Sequence, residues 1–155
     1  MAEKTFVNSV IVALRIVPQT GRSGGAVIPE PVMIETDGTG VMMPGDWSQV
    51  GVLADYSGGV CYRTSFMLDK KDIRDRMILN LGSVVATAEV RLNGKKAGVR
   101  VAPPWKIDIS DCVKTGGNKL EVLVYNTLAN HYQTIPSRYR GSPVSGLMGP
   151  VTIEF

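Results

Sequence analysis

Two carboxyl groups facing one another across a substrate, one raised in pKa and one ionised, form a simple hydrolytic machinery. Glu30, Asp46, Asp55, Glu89 and Glu121 are the acids available for it. Their neighbours place them in turns or at outward positions of strands, where solvation or turn formation accounts for a carboxylate. A nucleophilic triad would have to run through the single His131, and no catalytic residue is expected in this chain. Cys61 and Cys112 are the only cysteines. Without a Cys-X-X-Cys pair or a neighbouring histidine they make no metal site, and they read as unpaired thiols packed like small apolar residues, with a disulfide between them as the alternative. The glycine-rich Gly21-Arg22-Ser23-Gly24-Gly25 does not lead a strand into a helix, so it does not read as a phosphate cradle.

Aromatic rings beside fixed hydrogen-bonding groups offer a different chemistry, in which a ring face packs against C–H surfaces while amides and guanidinium groups meet hydroxyls. Such residues crowd between 130 and 140: Asn130, His131, Tyr132, Arg138, Tyr139 and Arg140. Trp47, Tyr56 and Trp105 lie in other expected loops that could converge with them. Each has a plainer reading. The loop's polar groups can hydrogen-bond their own backbone, a tryptophan beside proline or in a tight turn can cover one end of a core, and a lone histidine can be structural.

The elements that must position these residues follow from a period of two. Val60, Tyr62, Thr64, Phe66 and Leu68 share one face of a strand, with Cys61, Arg63, Ser65 and Met67 on the other. Lys119 to Tyr125 alternates in the same way. Ala88 to Leu92 and Lys95 to Val99 flank Asn93-Gly94, the preferred pair for a tight hairpin turn. Thr5 to Val17, Val32 to Glu35, Gly40 to Met43, Met77 to Leu81, Lys106 to Ile109 and Val151 to Phe155 complete the expected strands. Ser110 to Lys114 reads as one helical turn capped by Ser110. Asn126 to Pro150 carries three prolines and no strand pattern, and loops of such length are usually functional or pinned to a neighbour.

Many short strands without alternating helices predict an all-β, antiparallel sandwich or jelly roll. At 155 residues the default is a single domain over 1–155 that buries a core without staples. The net charge of +3 is interleaved, as at Lys70, Lys71, Arg74 and Arg76 among Asp69, Asp72 and Asp75, so no nucleic-acid stripe is expected. The apolar run Val10 to Leu14 is too short to span a bilayer, and the start shows no secretion signal.

Several motifs together resemble a known domain. Asp46-Trp47, Asp55-Tyr56-Ser57-Gly58-Gly59, Tyr62-Arg63 and Phe66 are similar to the sugar-binding jelly-roll domain of glycoside hydrolase family 2 and its relatives. So are Val90-Arg91-Leu92-Asn93-Gly94-Lys95, Gly98, Pro103-Pro104-Trp105, Asp108-Ile109-Ser110 and Gly117-Asn118-Lys119-Leu120. Asn126 to Tyr132 and Ser145 to Val151 look closest to the C-terminal domains of α-L-rhamnosidase-like enzymes of family 106. The resemblance covers residues 25–155 and leaves 1–20 as an extra N-terminal strand. It implies a galactose-binding-like fold and no cofactor, although a structural calcium ion is compatible with such folds. It also implies a parent enzyme, extracellular or periplasmic, whose catalytic carboxylates lie in a separate barrel domain. The expected partners are a plant cell-wall oligo- or polysaccharide and that catalytic domain, with neither nucleic acid nor membrane. A purely structural domain and a small hydrolase in its own right remain the alternatives.

Overall fold

The computed structural model describes residues 42–51, 53–133 and 141–155, all within a compact unit spanning Val41–Phe155. The expected strands at Thr5 to Val17 and Val32 to Glu35, the extra-strand segment 1–20, Glu30, and Arg138, Tyr139 and Arg140 lie outside the described residues. Its described residues form nine strands: β1 Gly59–Leu68, β2 Ile78–Asn80, β3 Ser83–Val85, β4 Thr87–Leu92, β5 Lys95–Arg100, β6 Lys106–Asp108, β7 Gly116–Tyr125, β8 Gly146–Gly149 and β9 Thr152–Glu154, with one short α-helix, α1 Ala129–Gln133. All named strand pairs are antiparallel. The order is β1-β7-β4-β5 in one sheet and β6-β2-β9 in a second, with β3-β8 as a two-stranded ribbon.

Alternation explains why these sheets stack. On β7, Leu120, Val122 and Val124 are buried; on β4, Ala88, Val90 and Leu92 are. Across the core they meet Met77, Leu79, Leu81, Ile107 and Ile109 from the opposing layer, in one continuous cluster. Each such aliphatic side chain removed from water contributes about 1.5–3 kcal/mol. The expected face of β1 holds except at Thr64: Leu68 is buried and Val60, Tyr62 and Phe66 pack against the core, whereas Thr64 is exposed along with Cys61, Arg63, Ser65 and Met67. The all-β antiparallel sandwich therefore stands. Cys61 is a correction in detail, since both cysteines are free but Cys61 sits on the solvent face instead of packing as a small apolar residue.

The Asn93-Gly94 turn forms with φ of 54° and 80°, the left-handed geometry that joins β4 to β5 without splaying them. Asn93 also donates from Nδ2 to the Cys112 carbonyl and to Asn118 Oδ1, and accepts from the Lys119 N–H. Buried Asn118 donates to the Lys114 and Gly116 carbonyls. The hairpin is thus tied to the approach to β7 by a fully used pair of amides.

Three expectations change. Ser110 to Lys114 is a hydrogen-bonded turn, not a helix, and Asp108 rather than Ser110 organises it by accepting from the Ser110 N–H and hydroxyl. Met42 and Met43 are not in a strand. The long segment 126–150 contains α1 and β8, a strand that pattern reading misses because Gly146 and Gly149 supply no alternating side chains; it pairs with the still shorter β3.

Candidate functional site

At the end of the sandwich where β1 begins and β7 ends, residues 44–51 and 53–58 meet residues 126–133 and 141–146. Asp46 starts the junction. Its Oδ1 accepts from the Ser48 N–H, capping a 3-10 turn at Trp47–Gln49, and from the Ser145 N–H, each at 3.0 Å. The Trp47 N–H donates to the Ser145 carbonyl at 2.9 Å and the Gly45 N–H to the Leu147 carbonyl at 2.7 Å, so this loop runs beside the start of β8. Asn126 joins the next layer: Oδ1 accepts from the Gly58 N–H, and Nδ2 faces the Tyr56 carbonyl, Asn130 Oδ1 and Ser145 Oγ. Asn130 donates to the Ala54 carbonyl at 3.0 Å and accepts from Ser145 Oγ at 2.9 Å. The His131 N–H donates to Ser57 Oγ.

This polar latch ties the described ends of the connection, 126–133 and 141–146, to the facing loop: its amides satisfy one another and the backbone opposite. It also reassigns several residues. Trp47 is 0 % exposed, belongs to the core and has no ring face for a ligand. Its indole N–H has no acceptor among the described residues. Trp105 is 9 % exposed and packed in the same core. Asn130 is 0 % exposed, with its amide committed to the latch. For Trp47 and Asn130 the structure corrects the sequence-based ligand set, because a side chain with no open surface cannot meet a sugar hydroxyl or C–H face, whereas Trp105 keeps only a narrow exposed edge.

Three of the expected residues do reach solvent. Tyr56 is 39 % exposed, rests an edge on Trp47 at 6.3 Å between ring centroids and donates to the Gly59 carbonyl. Its ring lies where a Cβ on Gly58 would be, so only glycine permits the approach. His131 and Tyr132 form an exposed edge-to-face pair at 5.5 Å on α1, with Tyr132 at 38 % exposure. Tyr125, absent from the sequence-based set, lays its ring over the Cβ position of Gly59 on the outer face of β1. The signal available for it was a tyrosine at the outward end of β7 facing a glycine across the register, Gly59 opposite Tyr125.

The electrostatics do not favour acid catalysis at this junction. Burial alone would raise the Asp46 carboxyl, yet the hydrogen bonds from Ser145, Ser48 and Gln49 together hold it below the usual aspartate value of 3.8. Glu89, bonded by Lys96 and Arg91, Asp108, bonded by Ser110, and Glu154, bonded by Lys106 and Asn80, are also moved down. A general acid needs the opposite displacement. Among the described residues no group of three or more His, Cys, Asp or Glu is placed to hold a metal ion, and Asp69 and Asp72 flank and end a 3-10 turn.

Asp46 carries a pH prediction. A carboxyl lowered in the folded state stabilises fully above its unfolded value near 3.8 and loses that contribution as the pH falls through the folded value. Wild type is expected to exceed Asp46→Asn by about 1 kcal/mol at neutral pH. The gap should close on acidification as the wild-type carboxyl protonates, which paired thermal melts across the acid range will read.

Comparison with known proteins then places this geometry. No family model matches the chain. A candidate beta-glucuronidase of Formosa agariphila is 43 % identical over 77 residues, which is 48 % of this chain and 7 % of that protein. A rhamnosidase structure from Novosphingobium superposes with a TM-score of 0.56 and 30 % identity over 64 % of this chain and 11 % of that one. The chain contains a glycoside hydrolase-related domain. A beta-glucuronidase of Ruminococcus gnavus, at 24 % identity and a TM-score of 0.50 over 56 % of this chain and 16 % of its own, shares the fold. The glycoside hydrolase-related domain thus corresponds to a small part of much longer enzymes.

Proposed function

We propose that this glycoside hydrolase-related domain is a galactose-binding-like jelly roll serving as a non-catalytic carbohydrate-binding or accessory module of a plant-polysaccharide-degrading enzyme, exported to the periplasm or cell exterior. The observation that carries the reading is the exposed rim of Tyr56, His131 and Tyr132, beside the Asn126-Asn130-Ser145 latch, in which Asn130 and Ser145 are buried. A rim fixed by packed amides loses little side-chain freedom on binding, and partly exposed tyrosine rings can take the C–H face of a pyranose. Arg138, Tyr139 and Arg140 belong to the same connection and remain proposed contacts. Affinity is expected to be modest, on the order of millimolar to micromolar, since hydroxyls must be desolvated.

Calorimetric titration of the chain with rhamnose-containing and pectic oligosaccharides tests this. Tyr132→Ala is expected to weaken binding by about three- to tenfold. Silence of the wild type across the panel would contradict the reading. Release of reducing sugar by the purified chain, abolished by one carboxylate substitution, would instead revive the view of the chain as a small hydrolase.

A second reading has its own support. Leu128 and Val144 in the same connection are 56 % and 41 % exposed, which suits a surface covered by the parent's catalytic domain. Self-association of the isolated chain, relieved by Leu128→Ser, is the outcome this reading expects.

A further inference from the structure

The outer face of the β6-β2-β9 sheet carries a separate groove of about 490 Å³. The antiparallel register places Asp108, Ile78 and Glu154 in one row across the three strands, all turned away from the core that Leu79, Ile107 and Ile153 face. Arg76, Arg100, Pro104 and Phe155 complete its walls together with Lys106. Three cations therefore meet two carboxylates.

The carboxylates are already engaged. Glu154 accepts from Asn80 and pairs with Lys106 at 2.7 Å, and Asp108 accepts from Ser110 and lies 4.0 Å from Arg76. Arg100 differs from the other two cations. Its Nε donates to the Lys106 carbonyl at 2.8 Å and its Nη1 to the Val99 carbonyl at 3.0 Å, and it makes no ion pair among the described residues. Backbone carbonyls fix the guanidinium plane without neutralising it, and three of its five N–H donors are left over. A guanidinium held in this way suits a planar carboxylate, which it can bind through two parallel hydrogen bonds. The flanking Ile78, Pro104 and Phe155 supply apolar surface for a pyranose ring.

We infer that this groove binds the carboxylate of an acidic, uronate-type saccharide, with Arg100 as the anion receptor. The saccharide class rests on the accessory-module reading, whereas the anionic preference rests on Arg100 and its surroundings. The site is distinct from the Tyr56-His131-Tyr132 rim, so the two can be tested separately.

The test titrates wild type, Arg100→Gln and Tyr132→Ala with trigalacturonate and with its methyl ester, which removes the anion without touching the protein. Wild type is expected to bind the acid at least about tenfold more tightly than the ester, with the preference shrinking as salt rises. Arg100→Gln should abolish the preference, and Tyr132→Ala should keep it. Equal binding of acid and ester by wild type overturns the inference, as does a preference that survives in Arg100→Gln. A preference that collapses in Tyr132→Ala but not in Arg100→Gln also overturns it, by moving the anion to the rim. An intact acid response beside silence toward neutral saccharides supports the groove while counting against the rim.

Discussion

Replacing Trp47 by Ala is expected to remove about 3–5 kcal/mol of folding stability, the largest single effect in the described residues. The indole is fully buried, contacts the Tyr56 ring and belongs to the cluster that joins the two layers. Truncation leaves a cavity that the capped 3-10 turn around it, pinned by Asp46 and Ser145, cannot collapse to fill. Since domains of this size are held by about 5–15 kcal/mol, the variant should melt far below wild type. Trp47→Phe should cost much less, because the lost N–H makes no bond among the described residues. Chemical denaturation of the two variants checks this, and a Trp47→Ala protein as stable as wild type but deficient in saccharide binding would return Trp47 to the ligand set.

The second large effect is at Asn130. Asn130→Ala is expected to cost about 1–3 kcal/mol, because it removes a fully buried side chain and leaves the Ala54 carbonyl without its donor, while Asn126 and Ser145 fall back on their remaining acceptors. The damage should be local first. Amide exchange ought to quicken at Tyr56 to Gly58 and around Ser145 before the main sheet is affected, since the latch, rather than β1-β7-β4-β5, is what the substitution opens. Unchanged exchange in those two loops would mean that the latch contributes little to order there.

These two predictions mark where sequence reading succeeds and where it stops. Alternation along Val60 to Leu68 and Lys119 to Tyr125, and the Asn93-Gly94 turn, were legible because each is a local pattern whose physical cause lies within ten residues. Tertiary context decides what the pattern leaves open. Trp47 and Asn130 look like ligand-facing residues in a polar, aromatic-rich stretch, and only the pairing of residues about a hundred positions apart, Asp46 with Ser145, shows them buried. β8 and β3 escaped notice because strands of three and four residues, β8 with glycine at both ends, have too few side chains to alternate. Tyr125 was hidden for a related reason: its significance comes from Gly59 lying opposite across the sheet. Arg100 likewise reads as one more interleaved charge until its two carbonyl partners are seen.

The same distinction separates scaffold from surface among the aromatic residues. Trp47 and Trp105 belong to folding, whereas Tyr56 and Tyr132 reach solvent beside the latch. The two groups are expected to respond to different measurements: the first to denaturation, the second to ligand.

The most direct measurement is a residue-resolved NMR titration of the whole chain with a rhamnose-containing oligosaccharide. The account predicts saturable shifts concentrated at Tyr56, Ser57, His131 and Tyr132, with the core strands unmoved. A spectrum unchanged at saturating saccharide, or shifts confined to the Arg63- and Glu121-bearing face of the four-stranded sheet, would contradict it.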